Sequence, residues 1–253
     1  MNRYGRAPWG DRFPASRVPS YSSHRKPLTT DAVIVGGGLT GAAAAYAFAS
    51  AGINVVLLEA DRIGRGATSL AAGWISDDPG VPFAEAENLL GLRAARGGFQ
   101  AWRRAAVEFA TLIRRLNIKC YLEPRTSLTI ALTPEQHARL AKERKVRLEA
   151  GLAAPALGSR VVSNEVALSP SVALRGREGA TLDPYRACVG LAEAAVKRGA
   201  TFFEKSPVRT VEHTPVAVPW VWVIGTAVVS RRRTSAVIFG STAGSPLPFL
   251  ILA

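Results

Sequence analysis

Two short runs of consecutive apolar residues, Ala32–Val35 and Val55–Leu58, frame the most regular stretch of this chain. Runs of that length, without polar alternation, predict strands buried on both faces of a parallel sheet. Between them, Leu39–Ala51 is rich in alanine, the strongest helix former, and Gly52 stands where a helix C′ residue turns left-handed. Strand, helix and strand in that order predict a βαβ crossover. Apolar residues recur at helical spacing over 83–117, which predicts two helices, or one kinked helix, broken at Gly97-Gly98. Tyr121–Leu132 predicts a hairpin turning around Pro124-Arg125. Thr133 then offers an N-cap, Pro134 suits the first helical position, and Gln136 can reach back as in a capping box. The helix so opened runs to about Ala150 and is charged on most sides, the pattern of a solvated outer helix. Asp183-Pro184 opens another helix, through about Arg198, which Gly199 ends. Thr201–Glu204 and Pro207–Glu212 follow as strands.

Composition adds a core and a charge imbalance. The chain has 253 residues, 48% of them hydrophobic, enough for a buried core and outside the disordered class. Net charge is +13, and it is concentrated at the ends. Residues 1–30 hold six Lys/Arg against one acid, and residues 205–253 hold five against one. With no nucleic-acid motif in the body, this basicity predicts no nucleic-acid partner. Residues 1–30 lack the apolar core of a secretory signal, and Pro8, Pro14, Pro19 and Pro27 oppose the amphipathic helix of an import leader. They are expected to form an extended lead-in on the domain surface. Cys120 and Cys188 are far apart, and His24, His137 and His213 are scattered, so no metal site is expected. The thiols fit reduced core cysteines of a cytoplasmic protein. After Thr214 the chain changes character, with an apolar run of about 15 residues interrupted by Pro219, then Arg231-Arg232-Arg233. That run is short for a membrane span of about 20 residues, and buried β-structure or a misfit end is expected.

Candidate chemistry lies on the first crossover. Gly36, Gly38 and Gly41 fit G-x-G-x-x-G after a strand and at the mouth of a helix. Gly36 allows the tight turn, Gly38 lets backbone approach a pyrophosphate, and Gly41 lets the helix pack close to the strand. The helix start offers free N–H groups and a positive dipole end. Glu59 stands 21 positions after Gly38, at the end of the second strand. An acid there accepts hydrogen bonds from ribose hydroxyls and repels a 2′-phosphate, which argues against NADP. A plain crossover with an incidental surface Glu59 is the bland alternative. Directly after the acid comes a second small-residue loop, with Gly64, Arg65, Gly66, Ala67, Thr68 and Ser69. A dinucleotide with a long ribityl arm needs such a second cradle, which favours FAD. A nicotinamide-dependent dehydrogenase gives that loop no special purpose, and a polar connection with solvated Arg62 and Arg65 is its bland reading.

The stretches "DAVIVGGGLTG", "VVLLEADRIGRGATS" and "LDPYRACVGLAEAAVKRGATFFEKSPVRTVE" together resemble the FAD-dependent amino-acid and amine oxidoreductases, which include D-amino acid oxidase, glycine oxidase and sarcosine oxidase. The similarity covers roughly residues 31–213. It implies an α/β fold with a Rossmann-like FAD-binding βαβ core and an incomplete α+β substrate domain. It implies that Gly36, Gly38 and Gly41 meet the pyrophosphate and Glu59 the ribose. Arg65, Ala67, Thr68 and Ser69 match the loop along the diphosphate and ribityl chain. Val208 matches a residue whose backbone meets the adenine, with a plain strand valine as the alternative. Asp183-Pro184-Tyr185 starts a helix and is not catalytic. The activity implied is oxidation of a C–N bond in an amine or amino acid by hydride transfer to flavin, and no side chain is assigned as acid or base. The expected divisions are 1–30 as a basic extension, 31–82 as the FAD-binding core, and 83–182 as helical and hairpin structure on the substrate side. The FAD-binding part returns over 183–213, and 214–253 is an atypical apolar tail. The chain departs from the family after about His213, where "VIFGSTAGSPLPFLILA" matches poorly, and a truncated or shifted reading frame is expected there. The competing expectation is a nucleotide-binding remnant without turnover, binding a partner through its tail.

Overall fold

A computed structural model describes residues 8–212, 221–224, 227–230 and 236–239. In chain order, a short helix α1 (Pro8–Asp11) precedes strand β1 (Ala32–Val35), helix α2 (Leu39–Ser50) and strand β2 (Val55–Leu58). A 3-10 turn follows at Ala67–Leu70. Next come β3 (Trp74–Ile75), α3 (Phe83–Leu90), α4 (Leu92–Arg115), β4 (Glu123–Ala131) and α5 (Pro134–Glu149). Then β5 (Ala156–Gly158), α6 (Ser159–Val162), β6 (Val172–Thr181) and α7 (Pro184–Lys197) lead to β7 (Thr201–Phe203) and β8 (Thr210–Glu212). The last strands are β9 (Val221–Ile224), β10 (Ala227–Ser230) and β11 (Ala236–Phe239).

The chain divides into two compact units, each built from separate stretches. One comprises residues 1–73, 116–120 and 183–253; the other, 74–115 and 121–182. The first holds a parallel sheet of Rossmann type in the order β11-β1-β2-β7. All four β2 side chains are buried, as a strand covered on both faces requires. From β1 the order runs one way to β2 and the other way to β11. The carboxyl end of such a strand is where open α/β sheets bind ligands. α2 packs on α7, and each helix carries buried alanines, Ala42, Ala45 and Ala49 on α2 and Ala187, Ala192 and Ala195 on α7. Gly52 closes α2 at φ +76 and Gly199 follows α7 at φ +99. Asp183 caps α7 by accepting from the Arg186 N–H at 3.0 Å.

β11 belongs to the tail set apart above as a poor match, yet Ala236–Phe239 pairs in parallel with Ala32–Val35, residue for residue. It is the return strand of the sheet. An apolar four-residue run is ambiguous in sequence, and its pairing with β1 is what identifies it. β9 pairs antiparallel with β10 and with β8 in a separate three-stranded sheet. The triple arginine, His213 and Pro219 lie outside the described residues.

In the second unit, β6 lies between β3 and β4, all antiparallel, and β5 also pairs with β6. The predicted hairpin over Tyr121–Leu132 is corrected here: Glu123–Ala131 is one continuous strand whose partner is β6. Pro124 does not turn the chain. It pairs opposite Ala180 in a strand that, among the described residues, has a neighbour on one side only, where a missing N–H is tolerated. The break predicted at Gly97-Gly98 is also corrected. Both glycines lie inside α4, and Gly91, at φ +79, separates α3 from α4. α5 carries the full capping box, with Thr133 and Gln136 satisfying each other's backbone N–H groups, and has no buried residue.

Candidate functional site

The glycine turn is shaped by three separate constraints. Gly36 ends β1 at φ +103, a conformation glycine adopts without steric penalty, and its N–H donates to Leu58 O at 2.8 Å. A Cβ on Gly41 would overlap Gly36 O, so only glycine lets α2 rise directly from the turn. Gly38 is the N-cap of α2 and provides no side-chain cap of its own. The first N–H of the helix, on Leu39, instead donates to Thr68 Oγ1 at 2.9 Å, from the second loop. A Cβ on Gly38 would stand 3.2 Å from that hydroxyl.

Glu59 closes the turn from β2. One carboxylate oxygen accepts the Gly37 N–H at 2.6 Å and the other accepts the Asp61 N–H at 2.8 Å. A carboxylate offers about four acceptor positions, so about half its capacity remains for hydroxyl donors. Thr68 is similar, since its oxygen accepts from Leu39 while its own proton has no acceptor among the described residues. Ser69 differs, because its hydroxyl donates to Arg65 O at 3.0 Å and Gly66 O at 2.9 Å, inside the 3-10 turn. Arg65 and Ala67 are exposed. Val208 precedes β8 rather than sitting in it, contrary to the predicted strand over Pro207–Glu212, because pairing with β9 begins only at Thr210. It is half-buried against Val33, Val56 and Leu58.

Of the residues that hold these pieces together, the sequence pattern marks Gly64 but not Gly37, Tyr185, Cys188 or Glu204. Gly37 is needed for space, since a Cβ there would overlap the Ile63 side chain. Gly64, at φ +76, leaves room for Tyr185 of α7; a Cβ would come within 2.9 Å of that ring. Tyr185 also interacts with Arg65, and burial pushes its phenol up despite that cation. Cys188, one helical turn on, points its thiol at Gly37 O at 3.5 Å. Burial, with the Glu59 charge adding to it, pushes that thiol up to about 12. Glu204 is buried at the end of β7 and accepts the Ile63 N–H at 2.9 Å. Its position after an apolar strand repeats that of Glu59, the one signal that could have marked it.

The second unit has a cavity of about 920 Å³ whose lining includes Arg103, Glu143, Arg147 and Glu178. Those four are held in ion pairs, Arg103 with Glu178, and Arg147 with both Glu143 and Asp78 at 2.5 Å. None of these is posed as a free acid or base. Among the described residues no helix is long and apolar enough to cross a membrane.

Comparison with known proteins matches residues 31–250 to the family model "FAD dependent oxidoreductase". The match passes residue 213, where the motif resemblance stops, and takes in β9 to β11. Gamma-glutamylputrescine oxidoreductase of Escherichia coli K12 is 28% identical over 81% of this chain and 48% of its own length. Glycine oxidase of Bacillus licheniformis is 25% identical over 78% and 51%. The chain thus spans about half the length of the curated relatives it matches. Among solved structures, glycine oxidase from Geobacillus kaustophilus superposes with a TM-score of 0.64, at 23% identity, covering 84% of this chain and 55% of that one. L-amino acid deaminase from Proteus myxofaciens gives 0.65 at 18% identity, over 88% and 48%.

Proposed function

The chain belongs to the FAD dependent oxidoreductase family, and from that membership we propose that it binds FAD at the turn between β1 and α2 and acts on the C–N bond of an amine or amino acid. Two relatives name such compounds, glycine and gamma-glutamylputrescine. The observation that carries the binding half is Glu59 held across the glycine turn at Gly37. It fixes a carboxylate with spare acceptor positions beside a helix start whose small residues leave room for a diphosphate.

FAD, when bound, supplies the hydride acceptor. The chain's own residues bind and orient. Glu59 accepts from the ribose hydroxyls. Gly36 shapes the turn, Gly38 lets the backbone approach the diphosphate, and Gly41 lets α2 rise close beside β1. Thr68, capping Leu39, would offer its own proton to the diphosphate, and exposed Arg65 would add positive charge. Ala67 and Ser69 would shape the loop along the ribityl arm, and the backbone at Val208 would meet the adenine.

The test is the spectrum of the purified chain, alone and after reconstitution. Flavin absorbance, retained on desalting and bleached by anaerobic addition of amines or amino acids, is the expected result. A colourless protein that no FAD reconstitutes overturns the reading. Glu59→Ala removes a charged acceptor worth about 2 kcal/mol and weakens FAD binding roughly 30-fold, checked by titrating apoprotein with FAD.

A further inference from the structure

The basic lead-in before β1 has no part in that reading, yet the structure ties it to the second loop at three places. The Trp9 indole N–H donates to Ala71 O at 2.9 Å, where the 3-10 turn ends. The Phe13 ring stands edge-on to Tyr185 at 5.7 Å, and Tyr185 in turn packs on Gly64 and interacts with Arg65. Arg186 also holds Phe13, its guanidinium 5.0 Å from the ring centre while it donates to Arg12 O at 3.0 Å. Further on, the Tyr21 N–H donates to one Glu204 carboxylate oxygen at 3.3 Å, and the other holds Ile63 at the loop's entrance. Entrance, middle and exit of the loop are therefore each connected to the lead-in.

The loop needs such support. Arg65, Gly66, Ala67, Leu70 and Ala71 are exposed, Leu70 to 66%. Little apolar burial offsets the backbone entropy of fixing it, about 1–2 kcal/mol per residue. A ligand that must order the loop itself binds more weakly than one that finds it ordered.

We propose that residues 8–24 form a strap that preorganises the Ile63–Ala71 loop, with Trp9, Phe13 and Tyr185 as positioning residues for the dinucleotide. The inference rests on the FAD reading of the site. The strap acts through the loop and touches no ligand atom. It lowers the rate at which a bound dinucleotide escapes and leaves the rate of encounter nearly unchanged.

The test uses the full chain and the variants Trp9→Phe, which keeps an aromatic ring and removes the donor, and Phe13→Ala, singly and together. Amide hydrogen exchange is measured first without FAD. The double variant is expected to exchange about tenfold faster at 63–71, with β1 and β2 unchanged. FAD dissociation, followed by the recovery of flavin fluorescence on dilution, is expected to quicken about tenfold. Unchanged loop exchange, or unchanged dissociation in a chain that takes up FAD, overturns the strap. So does a uniform rise in exchange that includes β1 and β2, which marks global destabilisation. Faster loop exchange in a chain that takes up no FAD overturns the cofactor reading and with it the strap's role toward a ligand, while the mechanical link stands.

Discussion

Gly41 and Gly37 sit five residues or fewer from Gly36, yet only Gly41 is marked by the spacing rule. The rule encodes what a crossover demands of its own backbone, and the overlap of a Gly41 Cβ with Gly36 O is such a local demand. Gly37 answers instead to Ile63, a neighbour across the fold. Thr68 and Glu59 were legible as polar residues at useful positions; that they meet Leu39 and Gly37 was not. His24 is a further case. Nothing in the sequence sets it apart from the other scattered histidines, but its ring packs edge-on to Phe203 at 4.9 Å, and both ring nitrogens are buried without a hydrogen-bond partner among the described residues. Burial lowers its pKa from the ordinary 6.5. As pH falls, the unfolded chain takes up that proton before the folded one does. The contribution of the neutral ring is therefore full above about 6.5 and is lost as pH drops through that value toward the lower folded pKa. The unfolding midpoint should fall between about pH 7 and about pH 5, and fall less in His24→Phe. Equal slopes in the two proteins would refute this.

Elements whose signals lie within their own residues were read correctly. β1, α2 and β2 follow from apolar runs, alanine content and a C′ glycine, and α5 from its capping box. The misreadings occurred where two local signals conflicted or where the partner was distant. Gly97-Gly98 looked like a break because glycine weakens helices, but Gly91 had already supplied the positive φ that ends one. A Cβ added at Gly97 or Gly98 would meet nothing within 4 Å. Gly97→Ala and Gly98→Ala should therefore each stabilise the protein, by about 0.5–1 kcal/mol, seen as a higher urea midpoint. Destabilisation by either would argue for a kink there. Pro124-Arg125 resembles a hairpin turn, whereas the partner of β4 is β6, which begins about 40 residues later, at Val172.

At the scale of the whole molecule, each unit is assembled from stretches that are discontinuous in sequence, and the parallel sheet is completed by a strand from the far end of the chain. Successive N–H groups in a strand point to opposite sides, and among the described residues β11 pairs only with β1. Of Val237→Pro and Ile238→Pro, one should remove a hydrogen bond to β1 and lower the melting temperature by several degrees more than the other. Equal melting temperatures would mean that β11 is not paired in this register. The sequence by itself determined what depends on neighbours along the chain: which runs are strands or helices, where helices start and stop, and that a glycine turn and a following acid share one crossover. Only the tertiary structure decided which side chains meet. Thr68 caps α2, Glu204 spans the second loop and the lead-in, and the tail returns beside β1. Backbone preference and periodicity act over a few residues, while space and hydrogen-bond partners inside a packed core come from segments any distance apart.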